Sequence, residues 1–366
     1  MAWKEARRAS NDESVAGDRR RGRGAVSNAT GRFEPERRES VDDGWDSFAE
    51  LPPFKTELRE EIAKTIIATN DSPDLGFDRS INPYRGCEHG CIYCYARPSH
   101  AYWGYSAGLD FETKLTAKVN AVEALERELS KPGYSPATIM IGSNTDGYQP
   151  IERERKITRG VLEVLERFSH PAAIVTKSAL VLRDIDILAR LASRGLTKVA
   201  ISVTTLDHRL ARKMEPRAST PGKRIEAIRE LSAAGVPVSV MAAPLIPALN
   251  DAELERILQA AAEAGATEAA YVLLRLPLEI SPLFQEWLQA EFPGRAKHIM
   301  SLVRSTRGGK DYVSCFGERQ RGTGHYADQI AARFQLALRR YGLNQRNISL
   351  RRDLFSKPDV AQLTLF

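Results

Sequence analysis

The chain has 366 residues, of which 42% are hydrophobic and 27% are charged, a composition typical of a globular protein with a sizeable core. The formal net charge of +6 permits a polyanionic partner without requiring one. No apolar run approaches the roughly 18 residues that span a bilayer, and the N-terminus lacks the charged and then apolar pattern of an export signal. We therefore predict a cytoplasmic protein that makes no contact with a membrane.

The first 48 residues are rich in Arg, Asp, Glu, Gly and Ser, and the Arg-Gly run over 19–24 has no apolar periodicity. Such a segment cannot bury enough apolar surface to offset the entropy that it loses on ordering. We predict a disordered charged tail over 1–48, followed by a lead-in segment over 49–78.

Short strand-like runs alternate with segments of helical periodicity from about residue 80 onward. The predicted strands are 80–85, 138–141, 172–176, 198–203, 236–241 and 269–274. The predicted helices between and after them are 112–128, 153–168, 182–191, 224–231, 251–264 and 282–291. Six such repeats form an α/β fold with a parallel sheet, either doubly wound or a partial barrel, because six are too few for an eight-fold barrel. In both cases ligands bind beyond the carboxyl ends of the strands.

The repeats place the main domain at 79–295. An Arg-rich C-terminal extension over 296–366 follows it, with a predicted helix at 326–341.

Three of the four cysteines lie directly after the first predicted strand, as Cys87, Cys91 and Cys94 in the spacing C-x3-C-x2-C. Four cysteines are too few for a disulfide scaffold in a chain of this length, so metal binding is the first interpretation. Three thiolates can hold three irons of a cubane [4Fe–4S] cluster and leave the fourth iron open for chemistry. The alternatives are a zinc loop and an electron-transfer cluster closed by Cys315, and His89 is a further ligand candidate in either.

This spacing, with the aromatic Tyr93 just before the third cysteine, resembles the signature of the radical S-adenosylmethionine (radical SAM) superfamily. The resemblance implies a partial (β/α)6 TIM-like barrel, a [4Fe–4S] cluster ligated by Cys87, Cys91 and Cys94, and S-adenosylmethionine (SAM) as the second cofactor. It also implies an external one-electron reductant, such as flavodoxin or ferredoxin. The expected chemistry is reductive cleavage of SAM to methionine and a 5′-deoxyadenosyl radical, which abstracts hydrogen from a substrate.

The same resemblance implies a set of SAM contacts. They are the backbone of Tyr93 and the prolines of 244–247 at adenine, Asn144, Thr145 and Asp146 at the amino group, Ser202 and Thr204 at the ribose, and Arg217 at the carboxylate. The chain lacks the Gly-Gly-Glu type of turn that many members have after the second barrel strand. An Asn/Asp/Gly turn also accounts for residues 142–147 without any ligand, and Thr is common in strands by propensity alone.

A longer resemblance spans about 80–343 and points to uncharacterised bacterial proteins related to spore photoproduct lyase, the DNA-repair photolyase-like radical SAM proteins. It is carried by the segments 82–97, 145–152, 215–221 and 316–319. The lyase itself uses a cysteine as hydrogen donor in the loop after its second barrel strand, whereas residues 142–145 here contain none. Cys315 is the remaining thiol that we predict as a donor, on the condition that its segment folds back to the cluster.

The predicted function is that of a radical SAM enzyme, lyase-like or modifying, with a nucleic acid or a nucleotide as the leading substrate. Aromatic rings follow the cysteines and are able to stack on bases, although they are equally able to shield a cluster or to form core: Tyr95, His100, Tyr102, Trp103, Tyr105 and Phe111. Arginines near the C-terminus are available to phosphates: Arg319, Arg321, Arg339 and Arg340. The alternative is a non-catalytic zinc or iron–sulfur module that binds a partner.

Overall fold

A sheet with six parallel strands dominates the computed structural model, which describes Val15, Gly17 and residues 20–34, 53–345 and 348–358. Within this part of the chain the strands are β1 Glu57–Glu61, β2 Ile67–Thr69, β3 Arg79–Ile81, β4 Tyr84–Arg85, β5 Lys114–Lys118, β6 Ile139–Ile141, β7 Ala172–Thr176, β8 Thr197–Ser202, β9 Val238–Leu245 and β10 Glu268–Leu273.

The strand order of the main sheet is β10-β9-β8-β7-β6-β3-β2, in which β2 runs antiparallel to β3 and every other pair is parallel. A doubly wound sheet reverses its strand order at a switch point. Here the parallel strands follow one another in chain order across the whole sheet without a reversal. The partial (β/α)6 barrel is therefore confirmed.

Helices cover the outer side of this sheet and bury its core. Their bounds are α1 Asp110–Thr113, α2 Ala121–Leu129, α3 Glu152–Arg155, α4 Ile157–Arg167, α5 Ile185–Ser193, α6 His208–Met214, α7 Pro221–Ala233, α8 Leu254–Glu263, α9 Ile280–Glu291, α10 Ala296–Ser305, α11 Glu318–Arg321 and α12 His325–Tyr341. Fully buried residues such as Ile141, Val199 and Val240 fill the space between sheet and helices. Helix α12 packs on α8, so the C-terminal extension contributes Ile330 and Phe334 to the main core.

The helix predicted over 112–128 is wrong in its first half, where β5 forms instead. β5 pairs with β1 in parallel and with β4 antiparallel, in a second, three-stranded sheet. Leu115 and Ala117 are fully buried, and the residues on either side of them are partly exposed, which is the two-residue period of a strand. The partner β1 lies more than fifty residues earlier in the chain, so no local pattern indicates the pairing.

Part of the predicted tail, residues 20–34, packs against α1 and the cysteines; we call this segment the strap. The backbone N–H groups of Gly24 and Ala25 donate to the buried carboxylate of Glu112 at 2.9 and 2.8 Å. Arg23 donates to the carbonyl oxygen of Glu112 at 2.8 Å. The strap is ordered because this carboxylate satisfies its backbone donors, which composition alone does not reveal. The rest of the predicted tail, apart from Val15 and Gly17, lies outside the described residues, and the boundaries at 48, 78 and 295 stay predictions.

Among the residues that the structure describes, no helix combines the length and the apolar character needed to cross a bilayer.

Candidate active site

The cysteine loop, residues 86–97, leaves β4 and crosses the carboxyl-terminal edge of the barrel. Gly86 starts it with φ of +71°, and a Cβ at this position would lie 2.9 Å from the carbonyl oxygen of Phe111. The Cys87 N–H donates to that same oxygen at 2.9 Å. Ile92 donates its N–H to the carbonyl of Met214 at 3.0 Å. The loop is therefore fixed both to α1 and to the end of α6.

Arg97, the last residue of the cysteine loop, is fully buried. Its Nε donates to the carbonyl oxygen of Cys91 at 2.9 Å, and its Nη2 pairs with Glu112 at 2.5 Å. Because Glu112 also binds the strap, one buried ion pair links the strap, α1 and the loop. A buried guanidinium paired in this way holds the loop in one conformation.

The three cysteines of the loop are free thiols, with Cys87 and Cys91 buried and Cys94 half-buried. Burial raises the pKa of all three. The carboxylate of Asp146 adds to this rise at Cys87, and that of Glu215 adds to it at Cys91. A positive charge at the site, such as that of a metal centre, would favour the thiolate form of these cysteines.

A cavity of about 340 Å³ opens above the three cysteines, inside the barrel and at the carboxyl ends of its strands. Its wall includes residues near the carboxyl ends of β6 to β10 and residues of the turns after β6, β7 and β10. Several residues predicted to contact SAM line it: Tyr93, Asn144, Asp146, Ser202 and Pro244. This is the end of a parallel barrel at which ligands bind.

Lys177, which sequence reasoning missed, brings an ammonium group into the cavity directly after β7. Its Nζ donates to Ser202 Oγ at 2.5 Å and to the carbonyl of Ala243 at 3.3 Å. The carboxylate of Glu215 lies 3.8 Å away. Burial is the largest effect on Lys177 and lowers its pKa to about 8. A lysine that follows a buried strand run is the signal that sequence analysis had available.

Asp146 lies beside the cysteines and is held by the protein on both carboxylate oxygens. It accepts from Thr176 Oγ1, from the N–H of Lys177 and from the N–H of Tyr148, all at 2.8 to 2.9 Å. His89 Nδ1 lies 3.4 Å from its Oδ2. Burial alone would raise the pKa of Asp146, but His89 and the donated hydrogen bonds lower it to about 2. Asp146 is therefore a carboxylate at neutral pH.

Glu215 is a second buried carboxylate, which sequence reasoning did not select. It accepts hydrogen bonds from Tyr93 in the cysteine loop, from Thr204 after β8 and from Arg224 in α7. Arg224 also donates to the carbonyl of Ser202 at 3.0 Å. This network joins the cysteine loop to three elements of the barrel, and it determines the position of Tyr93.

Four predicted site residues are absent from the described cavity wall. Thr145 donates its hydroxyl to the carbonyl of Tyr84 at 2.7 Å, and Thr204 belongs to the Glu215 network. Arg217 pairs with Glu88 at 3.4 Å on the outer side of the cysteine loop. Cys315 is exposed and precedes α11. The segment after β10 does fold back, because Gln320 of α11 lines the cavity.

The aromatic run after the cysteines mostly points away from the cavity. Tyr95 lines the cavity, whereas His100 packs between Tyr105 and Phe111, and Tyr102 stacks on Phe33 of the strap. Arg319 is paired with Asp74 at 2.6 Å. Tyr95 is therefore the one ring of this run that lies in the cavity wall and is available for a base to stack on.

Comparison with known proteins agrees with this geometry. The chain is 35% identical over 232 residues to an uncharacterised protein of Mycobacterium tuberculosis, which covers 63% of this chain and 68% of the relative. It is 30% identical over 213 residues to an uncharacterised protein of Methanocaldococcus jannaschii, covering 58% of this chain and 76% of the relative. It is 26% identical over 231 residues to the radical SAM Nα-GlyT isomerase of Pseudomonas phage M6, covering 62% of this chain and 46% of the relative.

Among solved structures, the fold is similar to that of spore photoproduct lyase complexed with dinucleoside spore photoproduct. The TM-score is 0.52 at 16% identity, and the match covers 78% of each chain. The family model of the radical SAM superfamily matches residues 81–261. The fold and site thus define a partial-barrel protein with a three-thiol loop at the mouth of its barrel. The chain belongs to the radical SAM superfamily, and its fold is similar to that of spore photoproduct lyase.

Proposed function

We propose that this protein is an enzyme that holds a [4Fe–4S] cluster on Cys87, Cys91 and Cys94 and cleaves SAM reductively. The observation that carries the proposal is the opening of three free thiols into one cavity that also contains the buried ammonium of Lys177. When bound, a reduced cluster supplies the electron that splits SAM into methionine and a 5′-deoxyadenosyl radical.

The donor set fits such a cluster. Thiolates are the usual ligands of iron–sulfur clusters, and each of them binds a different iron atom of a cubane. Among the described residues, no three Cys, His, Asp or Glu side chains form a group able to hold a single metal ion. A cubane cluster does not require three ligands to meet at one metal ion, because each thiolate binds its own iron atom.

The protein's own groups would orient SAM. The Lys177 ammonium is placed to bind the carboxylate of the methionine moiety, because its hydrogen-bond partners are a hydroxyl and a carbonyl and the carboxylate of Glu215 lies 3.8 Å away. Asp146 and Asn144 are the acceptors available to the amino group, and Ser202 is available to the ribose. Thr145 would support the site by holding the turn after β6. Thr204 would do so through its hydrogen bond to Glu215, and Arg217 through its ion pair with Glu88 of the cysteine loop.

A nucleic acid or a nucleotide is the substrate that we propose. The support is the fold likeness to a lyase complexed with a dinucleoside photoproduct, together with the net positive charge of the chain. The electron would come from an external one-electron donor such as flavodoxin or ferredoxin. Cys315 as the hydrogen donor stays a prediction, and its exposed position would require the segment before α11 to move.

Anaerobic reconstitution tests the proposal. We expect about four irons per chain and formation of 5′-deoxyadenosine from SAM under dithionite. The variant Cys91→Ala should abolish both, whereas Cys315→Ala should retain the cluster. One bound zinc with no SAM cleavage would instead identify a non-catalytic module that binds a partner.

A further inference from the structure

The β10 side of the cavity carries a guanidinium with no counterion among the described residues. Arg275 follows β10 by two residues and lines the cavity, with its Cζ 5.1 Å from the ring centroid of Tyr95. Its Nε is buried without a hydrogen-bond partner. Its Nη2 lies 3.5 Å from the hydroxyl of Tyr312. In the part of the chain that the structure describes, no carboxylate lies within 4.0 Å of Arg275.

A second guanidinium lies behind it. Arg307 is 2% exposed and donates to the carbonyl oxygens of Leu274 and Glu318 at 2.8 and 2.7 Å. Its Nε is also buried without a partner. Burial and then repulsion from Arg275 lower the pKa of Arg307 to about 10. The hydrogen-bond partners of these two cations in the described chain are therefore carbonyl and hydroxyl oxygens only.

The nearby carboxylate of Asp74 is already engaged. Arg275 contributes to the low pKa of Asp74, but the main cause is the N–H of Gly317, which donates to Asp74 at 2.7 Å. Arg319 pairs with the other oxygen of Asp74 at 2.6 Å. The remaining wall on this side includes Leu75, Phe77 and Leu273, which are apolar. A cation in such surroundings attracts an anion more strongly than it would in water.

We propose that Arg275, backed by Arg307, binds an anionic group of the substrate, a phosphate or a carboxylate, at the β10 side of the cavity. The inference rests on the proposed function and adds the charge of the substrate to it. Two strands separate this subsite from Lys177, which follows β7, so the anionic group of the substrate and the carboxylate of SAM would bind at different places. A guanidinium is suited to both anions, because its planar N–H groups match two oxygens at once.

Binding of small anions to the reconstituted holoenzyme tests the subsite. Saturating SAM is present so that Lys177 is already engaged, and the probes are inorganic phosphate, acetate and the dinucleotide thymidylyl-thymidine, with thymidine as the uncharged control. We expect the wild type to bind at least one anion. We expect Arg275→Gln to weaken that binding by about tenfold or more, as the loss of a charge-assisted contact implies. The exposed Arg229→Gln serves as the matched control and should bind like the wild type.

The outcomes separate the two proposals. Preference for phosphate or the dinucleotide identifies a phosphate-bearing substrate, and preference for acetate identifies a carboxylate. Equal anion affinity of Arg275→Gln and Arg229→Gln would overturn the subsite. Failure of the wild type to cleave SAM would overturn the proposed function and leave the anion measurement standing.

If Arg275→Gln does not fold, Arg275→Lys is the second variant, because it keeps the positive charge without the planar guanidinium. It should bind severalfold more weakly than the wild type, and unchanged affinity would again overturn the subsite.

Discussion

The buried polar residues around the cysteine loop divide into groups that the protein satisfies and groups that it leaves for a ligand. Glu215 is satisfied by donors from several elements. Lys177 has a hydroxyl and a carbonyl as hydrogen-bond partners and a carboxylate only at 3.8 Å. A buried charge is costly until an opposite charge pairs with it. An anionic ligand therefore gains the most binding free energy at Lys177.

Replacing Lys177 with Gln should weaken SAM binding by about tenfold or more, because a charge-assisted hydrogen bond to the carboxylate is lost. Iron content should stay close to that of the wild type, because the three cysteines are unchanged. Equilibrium binding of SAM to the reconstituted protein measures the effect. Lys198→Gln, on β8 and paired with Glu268, is the control. SAM affinity equal to that of the control would remove Lys177 from the site.

Replacing Glu215 with Gln should destabilise the protein by about 3 kcal/mol, because it leaves the buried guanidinium of Arg224 without its counterion. Denaturant unfolding of the cluster-free protein measures this change. Glu226→Gln, in the same region but exposed and paired with Lys223, should change the free energy of unfolding by less than about 0.5 kcal/mol. Similar values for both variants would show that Glu215 does not support the loop.

At the scale of elements, the strap, α1 and the cysteine loop form one packed unit. Gly24 of the strap lies against Gly90, which sits between the first two cysteines, and a Cβ on Gly24 would come 1.8 Å from the Gly90 carbonyl oxygen. Gly90 itself has φ of +67°, and a Cβ there would lie 2.7 Å from Glu112. The two glycines permit a backbone approach that no other residue allows.

The variant Gly24→Val should displace the strap and cost about 1–3 kcal/mol, as overpacking does. We expect fewer irons per chain after reconstitution and faster cluster loss in air, because the loop loses one of its supports. Gly17→Val is the matched control, since nothing lies within 4 Å of a Cβ at Gly17. Cluster retention equal in the two variants would show that the strap does not stabilise the loop.

At the scale of the whole molecule, two buried histidines make stability depend on acidity. Burial lowers the pKa of both His100 and His170 from 6.5 to about 4. His170 lies between Tyr134, whose hydroxyl is 2.9 Å from its Nε2, and Phe355 near the C-terminal end of the described chain. Both side chains are therefore neutral in the folded protein at pH 5, whereas the unfolded chain binds protons there.

Stability should consequently be full above pH 6.5 and fall as the pH approaches 4, by about 3 kcal/mol for each histidine. Urea unfolding of the cluster-free protein at pH 7 and pH 5 measures the loss. His170→Gln should reduce the difference between the two pH values, while the exposed His298→Gln should leave it unchanged. A pH dependence identical in both variants would contradict a neutral buried His170.

The alternating strands and helices and the C-x3-C-x2-C loop could be predicted from the sequence because both are local patterns. Apolar periodicity within a dozen residues reports which face of an element is buried, and three cysteines within eight residues must lie together wherever the chain goes. The same reasoning failed at Lys114–Lys118, where the partner strand β1 is distant in sequence. It failed also at the strap, which is held in place by hydrogen bonds from its backbone N–H groups to the buried carboxylate of Glu112.

Only the tertiary structure decided which polar groups meet at the cysteines. Lys177 follows β7, Glu215 follows α6 and Arg275 follows β10. Each looks like an ordinary charged residue in its own segment. They converge because parallel strands place their carboxyl ends at one edge of the barrel. Which of them is paired and which is left with an unmatched charge depends on atoms contributed by several distant elements, and no local pattern contains that information.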